Sequence, residues 1–181
     1  MSMILYDFPL SANCWRVRLV LSVYGAAYER RTVDLTRGAH LSREYRAVNP
    51  LGQTPALVAD GEVIRDSHVI CLYLGERFGA PYWPADPQLR RAIAAWMFFD
   101  ASDLHGGVGL ARNHYLFGVG ADGDGPRARG ERALGAMERT LRAQPWLCGE
   151  NPTLADLACY PFAALMDRVP CRGVVGFHSH R

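Results

Sequence analysis

Lysine is absent: all 20 basic residues of this 181-residue chain are arginine. That removes any mechanism built on a Schiff-base lysine and any phosphate loop that ends in one. Charge imbalance is missing too. The 20 arginines face 18 acidic residues for a formal charge of +2, and they are dispersed rather than gathered into a stripe. No electrostatic footprint for nucleic acid results, and none is expected as a partner. No apolar run approaches the ~20 residues that span a bilayer. The opening MSMILYDF carries neither a basic n-region nor a small-residue cleavage site, so the chain reads as cytoplasmic and without a membrane partner. Paired cysteines are lacking as well. Cys14, Cys71, Cys148, Cys159 and Cys171 are odd in number, form no CxxC and sit mostly in apolar or helical surroundings. They read as reduced thiols. No metal site is expected either: His105 and His114 stand nine residues apart without a carboxylate partner, and DGDG at 122–125 is too short for a calcium loop.

What is present is a chain that is 49% hydrophobic, enough for one sizeable core or two small ones. MILYDF (3–8) reads as a strand ended by Pro9, and the apolar residues from Asn13 to Tyr24 read as a largely buried helix. A second strand over 28–35 and a short helix over 42–48 follow, the latter stopped by Asn49 and Pro50. PALVADGEVIRD (55–66) holds two short apolar runs around Asp60-Gly61, a strong hairpin signal, and a helix opens at Ser67 and closes at Gly79. The first ~80 residues thus read βαβαββα. Three prolines in GAPYWPADP (79–87) mark a boundary between domains at 1–79 and 86–181. Beyond it the pattern is helical: one helix over 88–115, a second over 126–145, and a third introduced by Thr153 with Asp156 as the acidic arm of a capping box. Trp96, Met97, Phe98 and Phe99 are adjacent and must point several ways around their helix.

The order of strands, the VNPLGQTPAL turn, the Asp66-Ser67 pair opening the third helix and the NPTLAD box together resemble the cytosolic glutathione transferase family over residues 3 to 168. SANCWRVRL is most similar to its serine-dependent branches, the theta and zeta classes, the latter including maleylacetoacetate isomerases. The resemblance implies a fold of class α/β plus all-α, with an N-terminal thioredoxin-like domain that binds glutathione and a helical C-terminal domain that shapes the pocket for an electrophile. It implies glutathione as co-substrate, a small electrophilic partner and a homodimer. Ser11 takes the catalytic place, where thioredoxin-like proteins carry the attacking cysteine, and Cys14 falls where the resolving cysteine would be. A free thiol has pKa ≈ 8.5, and lowering it by ~2 units needs roughly 2.7 kcal/mol. A charge-assisted hydrogen bond gives ~1.5–3 kcal/mol and a helix N-terminus ~0.3–1.

The same resemblance gives Asp66 and Ser67 the γ-glutamyl end, the Thr54 backbone the cysteinyl unit beside a cis Pro55, and His40 and Gln53 the glycine end; Asn13 joins the binding residues. Two departures accompany it. Gln53 stands where serine branches often have lysine, and Asn13 where the zeta motif has cysteine. After Asp167, RVPCRGVVGFHSHR shows no helical period, so the second domain reads as shortened. On the residues alone, other readings stay open. Ser11 and the Asp66-Ser67 pair could be helix caps only, and His40 a solvated loop residue. Cys14 could be a packed thiol or a lyase nucleophile, and the chain an isomerase or a non-catalytic interaction module.

Overall fold

The computed structural model describes residues 3–120 and 124–165. Strand β1 (Met3–Asp7) runs at the centre of a four-stranded sheet ordered β2-β1-β3-β4, parallel to β2 (Glu29–Thr32) and antiparallel to β3 (Ala56–Ala59), which in turn pairs antiparallel with β4 (Glu62–Arg65). Side chains alternate along β1. Leu5 joins the core formed with Val17 and Val20 of α1 (Ala12–Val23) and with Ile70 and Leu74 of α3 (Ser67–Phe78), while Tyr6 turns the other way and meets Tyr45 of α2 (Arg43–Val48) at 5.6 Å between rings. The βαβαββα order is the thioredoxin-like one. The β3–β4 turn works as its sequence requires: Asp60 and Gly61 take φ of 52° and 87°, the positive values of a two-residue hairpin.

One strand is shorter than its pattern. β2 ends at Thr32 rather than at residue 35, because the Asp34 side chain accepts from the Thr36 and Arg37 amides and starts a 3-10 turn instead.

Helix α4 (Pro87–Phe99) begins with Asp86 as cap and proline in its first turn. It runs on as a π-helical stretch, Asp100–Gly109, and then as α5 (Leu110–Phe117), which Gly118 ends. The pattern had predicted one ordinary helix here, but the middle of the run is wound wider. The glycines in it let α6 (Asp124–Ala143) approach closely, since a Cβ on Gly107 would sit 2.3 Å from the Gly130 nitrogen. Helix α7 (Leu154–Ala164) opens on the capping box of Thr153 and Asp156 and is apolar on several faces, burying Leu154, Ala158, Cys159 and Phe162. It packs against both α1 and α4, so a single continuous core joins the sheet half to the helical half. Of the four adjacent residues on α4, Met97 is buried and Phe98 exposed. The reading of a shortened second domain falls on residues 166–181, outside the described residues.

Gly107→Ala should cost about 3 kcal/mol of unfolding free energy in a denaturant titration, because neither backbone can yield to the added methyl. Gly135→Ala, whose methyl would meet only the flexible Arg139 side chain at 3.5 Å, should be neutral or slightly stabilising.

Candidate active site

A cleft of about 620 Å³ opens where the start of α1, the turn before β3 and the start of α3 face the π-helical stretch and α5. All eight residues singled out from the sequence line it: Ser11, Asn13, His40, Gln53, Thr54, Pro55, Asp66 and Ser67. The opposite wall comes from one face of the long helical run, through Ala101, His105, Gly109, Arg112 and Asn113, with Phe117 and Phe162 adding apolar surface.

Ser11 is the N-cap of α1, its oxygen accepting from the Cys14 amide at 3.2 Å. Capping and chemistry are compatible. A hydroxyl that accepts one hydrogen bond keeps its proton to donate, and here the donor stands at the positive end of a 12-residue helix. Cys14 points the other way. It is fully buried, its sulfur accepts from the Phe8 amide at 3.3 Å, and burial pushes its thiol up, against partial offsets from Thr54, Phe8 and Ser11. The Thr54 hydroxyl beside it makes no well-formed hydrogen bond of its own.

The turn that carries Gln53, Thr54 and Pro55 is tied from behind. Tyr45 Oη and Asn49 Nδ2 both donate to the Gln53 carbonyl, at 2.6 and 2.7 Å, and Asn49 Oδ1 accepts from the Leu51 amide. Gly52 takes φ 63°, and a Cβ there would lie 2.9 Å from the His40 carbonyl oxygen, so glycine is required. The Thr54–Pro55 peptide is cis. His40 lines the cleft beside this turn, with a buried Nδ1 that has no hydrogen-bond partner.

At the start of α3, Asp66 caps the helix by accepting from the His68 and Val69 amides at 2.8 and 3.3 Å, in a backbone conformation of φ 72° that side chains other than glycine rarely adopt. Its carboxyl is pulled down to about 2, chiefly by the His68 side chain. Ser67 is buried and accepts from Arg16 Nη1 at 2.6 Å, which leaves the hydroxyl proton for a ligand. Arg16 has no exposed surface. It also donates to Asn13 Oδ1 at 3.1 Å and to the Ala158 carbonyl at 2.9 Å, and it forms an ion pair with Asp100, likewise buried. Asp100 Oδ2 lies 2.7 Å from His68 Nε2 as well. Burial opposes the charged His68 ring, but the hydrogen bond to Asp100 and the nearby Asp66 carboxylate outweigh it and raise its pKa. Among the described residues no three His, Cys, Asp or Glu side chains gather so as to hold a metal ion.

Residues 5–82 match the family model described as glutathione S-transferase, N-terminal domain, and residues 126–175 its C-terminal domain. A maleylacetoacetate isomerase of Rhizobium meliloti is 38% identical, with 87% of this chain and 78% of that protein covered. The chain belongs to the glutathione S-transferase family. Glutathione S-transferase 1 of Dianthus caryophyllus is 35% identical over 87% of this chain and 74% of its own. Among solved structures, a possible glutathione S-transferase from Rhodopseudomonas palustris superposes with a TM-score of 0.85 at 29% identity, over 93% of this chain and 85% of the other. The match to the C-terminal family model runs on to residue 175, through part of the segment whose sequence shows no helical period.

For a member of this family, sequence reasoning found one wall of the cleft and missed what stands behind it. Arg16, Asp100 and His68 escaped notice, and His105, weighed only as a metal ligand, lines the cleft. The available signals were slight: an arginine among the apolar residues of α1, and a carboxylate continuing the buried Ile93–Met97 face of α4.

Asp100→Ala should cost about 3–5 kcal/mol of stability in a denaturant titration, because it strands a buried guanidinium. The first turn of α3 should also respond to pH in two directions. The Asp66 contribution is present above its ordinary 3.8 and fades as pH falls toward 2; the His68 contribution is complete below its ordinary 6.5 and fades as pH rises through its raised value. Amide protection at His68 and Val69, followed by hydrogen exchange, should therefore be greatest between about pH 4 and 6.5.

Proposed function

We propose that the protein is a glutathione transferase that binds glutathione in this cleft as the thiolate and directs the sulfur at a small electrophile. The single observation that carries the reading is that Ser11, at the N-terminus of α1, shares one cleft with Asn13, His40, Gln53, Thr54, Pro55, Asp66 and Ser67. Ser11 donates to the sulfur and, with the helix end, makes its charge cheaper. Thr54 and Pro55 set the register of the cysteinyl backbone. Ser67, with its acceptor site filled by Arg16, donates to the γ-glutamyl carboxylate, and Asp66 receives the ammonium. His40 and Gln53 receive the glycine end, with Gln53 supplying a dipole where related serine enzymes often supply a charge.

The electrophile meets the wall formed by His105, Arg112, Asn113 and Phe117. The thiolate attacks its electrophilic carbon and forms a carbon–sulfur bond, the leaving group departs with the electron pair of the broken bond, and the thiol proton has already been lost to solvent. Within this proposal residues 1–79 form the glutathione domain and 86–181 the helical domain, in a cytoplasmic homodimer. Exposed apolar side chains such as Phe98 and Val69 support association.

A second reading rests on the isomerase name of the Rhizobium meliloti relative. In that reaction glutathione adds and is then released, so turnover regenerates it, whereas conjugation consumes it. A lyase mechanism through Cys14 has less support, since a fully buried thiol with a raised pKa is mostly protonated at neutral pH.

Ser11→Ala should lower kcat/KM by about 10- to 100-fold while changing glutathione affinity little. The thiolate absorbance of bound glutathione should move to higher pH in the variant, beyond any loss of about 1 kcal/mol from the cap. Wild-type turnover with an unchanged thiolate titration would remove Ser11 from the chemistry.

A further inference from the structure

His68 faces a carboxylate with each of its ring nitrogens. Nε2 is 2.7 Å from Asp100 Oδ2, and Nδ1 is 3.5 Å from Asp66 Oδ1. A neutral imidazole carries one N–H, so it can donate to one of these groups while turning a lone pair toward the other; the imidazolium serves both. Asp100 has the stronger claim on a single proton, because it is closer, fully buried and already fixed by Arg16. Loss of the second proton therefore falls on Asp66. That residue is held at φ 72° by the two amides it caps and by this ring, and its side chain reaches the cleft.

We propose that His68, as the imidazolium, is a positioning residue of the γ-glutamyl subsite: it ties Asp66 at the cleft wall to the buried Asp100–Arg16 pair, and its deprotonation loosens Asp66 and weakens ligand binding. This rests on the glutathione reading of the cleft. Four ionisable groups face the ring from the elements around it. Asp66 caps its own helix, Asp100 and His105 come from the π-helical stretch, and Arg16 comes from α1. The carboxylates favour the proton; Arg16 and a charged His105 oppose it. Burial lowers the pKa of His105 and so reduces its opposition.

Orientation, not charge, decides the sign. The γ-glutamyl end carries an ammonium and a carboxylate, so a positive charge nearby repels one and attracts the other. To first order the two cancel, and what remains is whether Asp66 is held where the ammonium arrives.

The experiment is calorimetric titration with S-methylglutathione between about pH 5.5 and 8.5, a range set by the imidazole. Its sulfur carries no proton, so thiol ionisation drops out, while its γ-glutamyl end is intact. For the wild type, Kd should rise about tenfold as the pH increases. His68→Gln and His68→Asn should bind with a pH-independent Kd close to the wild-type alkaline value. In the ligand-free protein, Asp66→Asn should lower the His68 ring pKa read by NMR. Tight wild-type binding with a flat profile would overturn the positioning role alone, as would the wild-type slope persisting in both His68 variants or an unmoved ring titration in Asp66→Asn. Absence of binding at every pH would overturn this role and the transferase reading together.

Discussion

A guanidinium with no exposed surface must be answered, and Arg16 is answered by Asp100 across 84 residues of sequence. The pair joins α1 to the π-helical stretch, the Ala158 carbonyl brings in α7, and Ser67 brings in α3. Four elements from both halves thus meet at one side chain. Burying such a pair is expensive, and a matched apolar set of similar volume often does as well for stability. Its return here is definition. Each partner of Arg16 has one place to be, and two of them, Asn13 and Ser67, line the cleft, as does His68, which is held through Asp100.

This arrangement separates two tasks along one wall. On the proposed reading the uncharged Ser11 hydroxyl at the α1 end serves the sulfur, and it makes no contact with the buried pair. At the α3 end the same reading sets charged groups against the zwitterionic part of glutathione, where orientation counts more than net field. The nearest thiol is kept apart from both. Cys14 is turned into the core with the Phe8 amide on it, and no cysteine among the described residues lines the cleft.

Local physics made the sheet half and the opening of α7 readable from the chain. Caps at Ser11, Ser42, Asp66 and Thr153, the Asp60-Gly61 turn and the glycine at position 52 act over a few residues, and they appear where those residues stand. The eight cleft residues came from the family resemblance that those motifs carry, and they line one cleft. What escaped is non-local. The contacts of Arg16 with Ser67 and Asp100 span 51 and 84 residues, and no periodicity marks them. The π-winding after Phe99 was hidden for a different reason, since its apolar pattern passes for an ordinary helix and the wider turn shows only in how closely Gly107 meets Gly130. β2 ran past its true end on paper because alternation continued where a competing Asp34 bond had already turned the backbone.

The rims of the sheet carry a last implication. β2 and β4 are its outer strands; all four residues of β2 are exposed, two of them arginines, and β4 begins with Glu62 and ends with Arg65. An incoming chain that tried to extend the ladder would have to lay itself along fixed charge at either border, where like-charged neighbours repel and long side chains resist confinement. The sheet is therefore closed to growth, and stacking of one copy's backbone onto another's is discouraged well before any misfolded assembly could form.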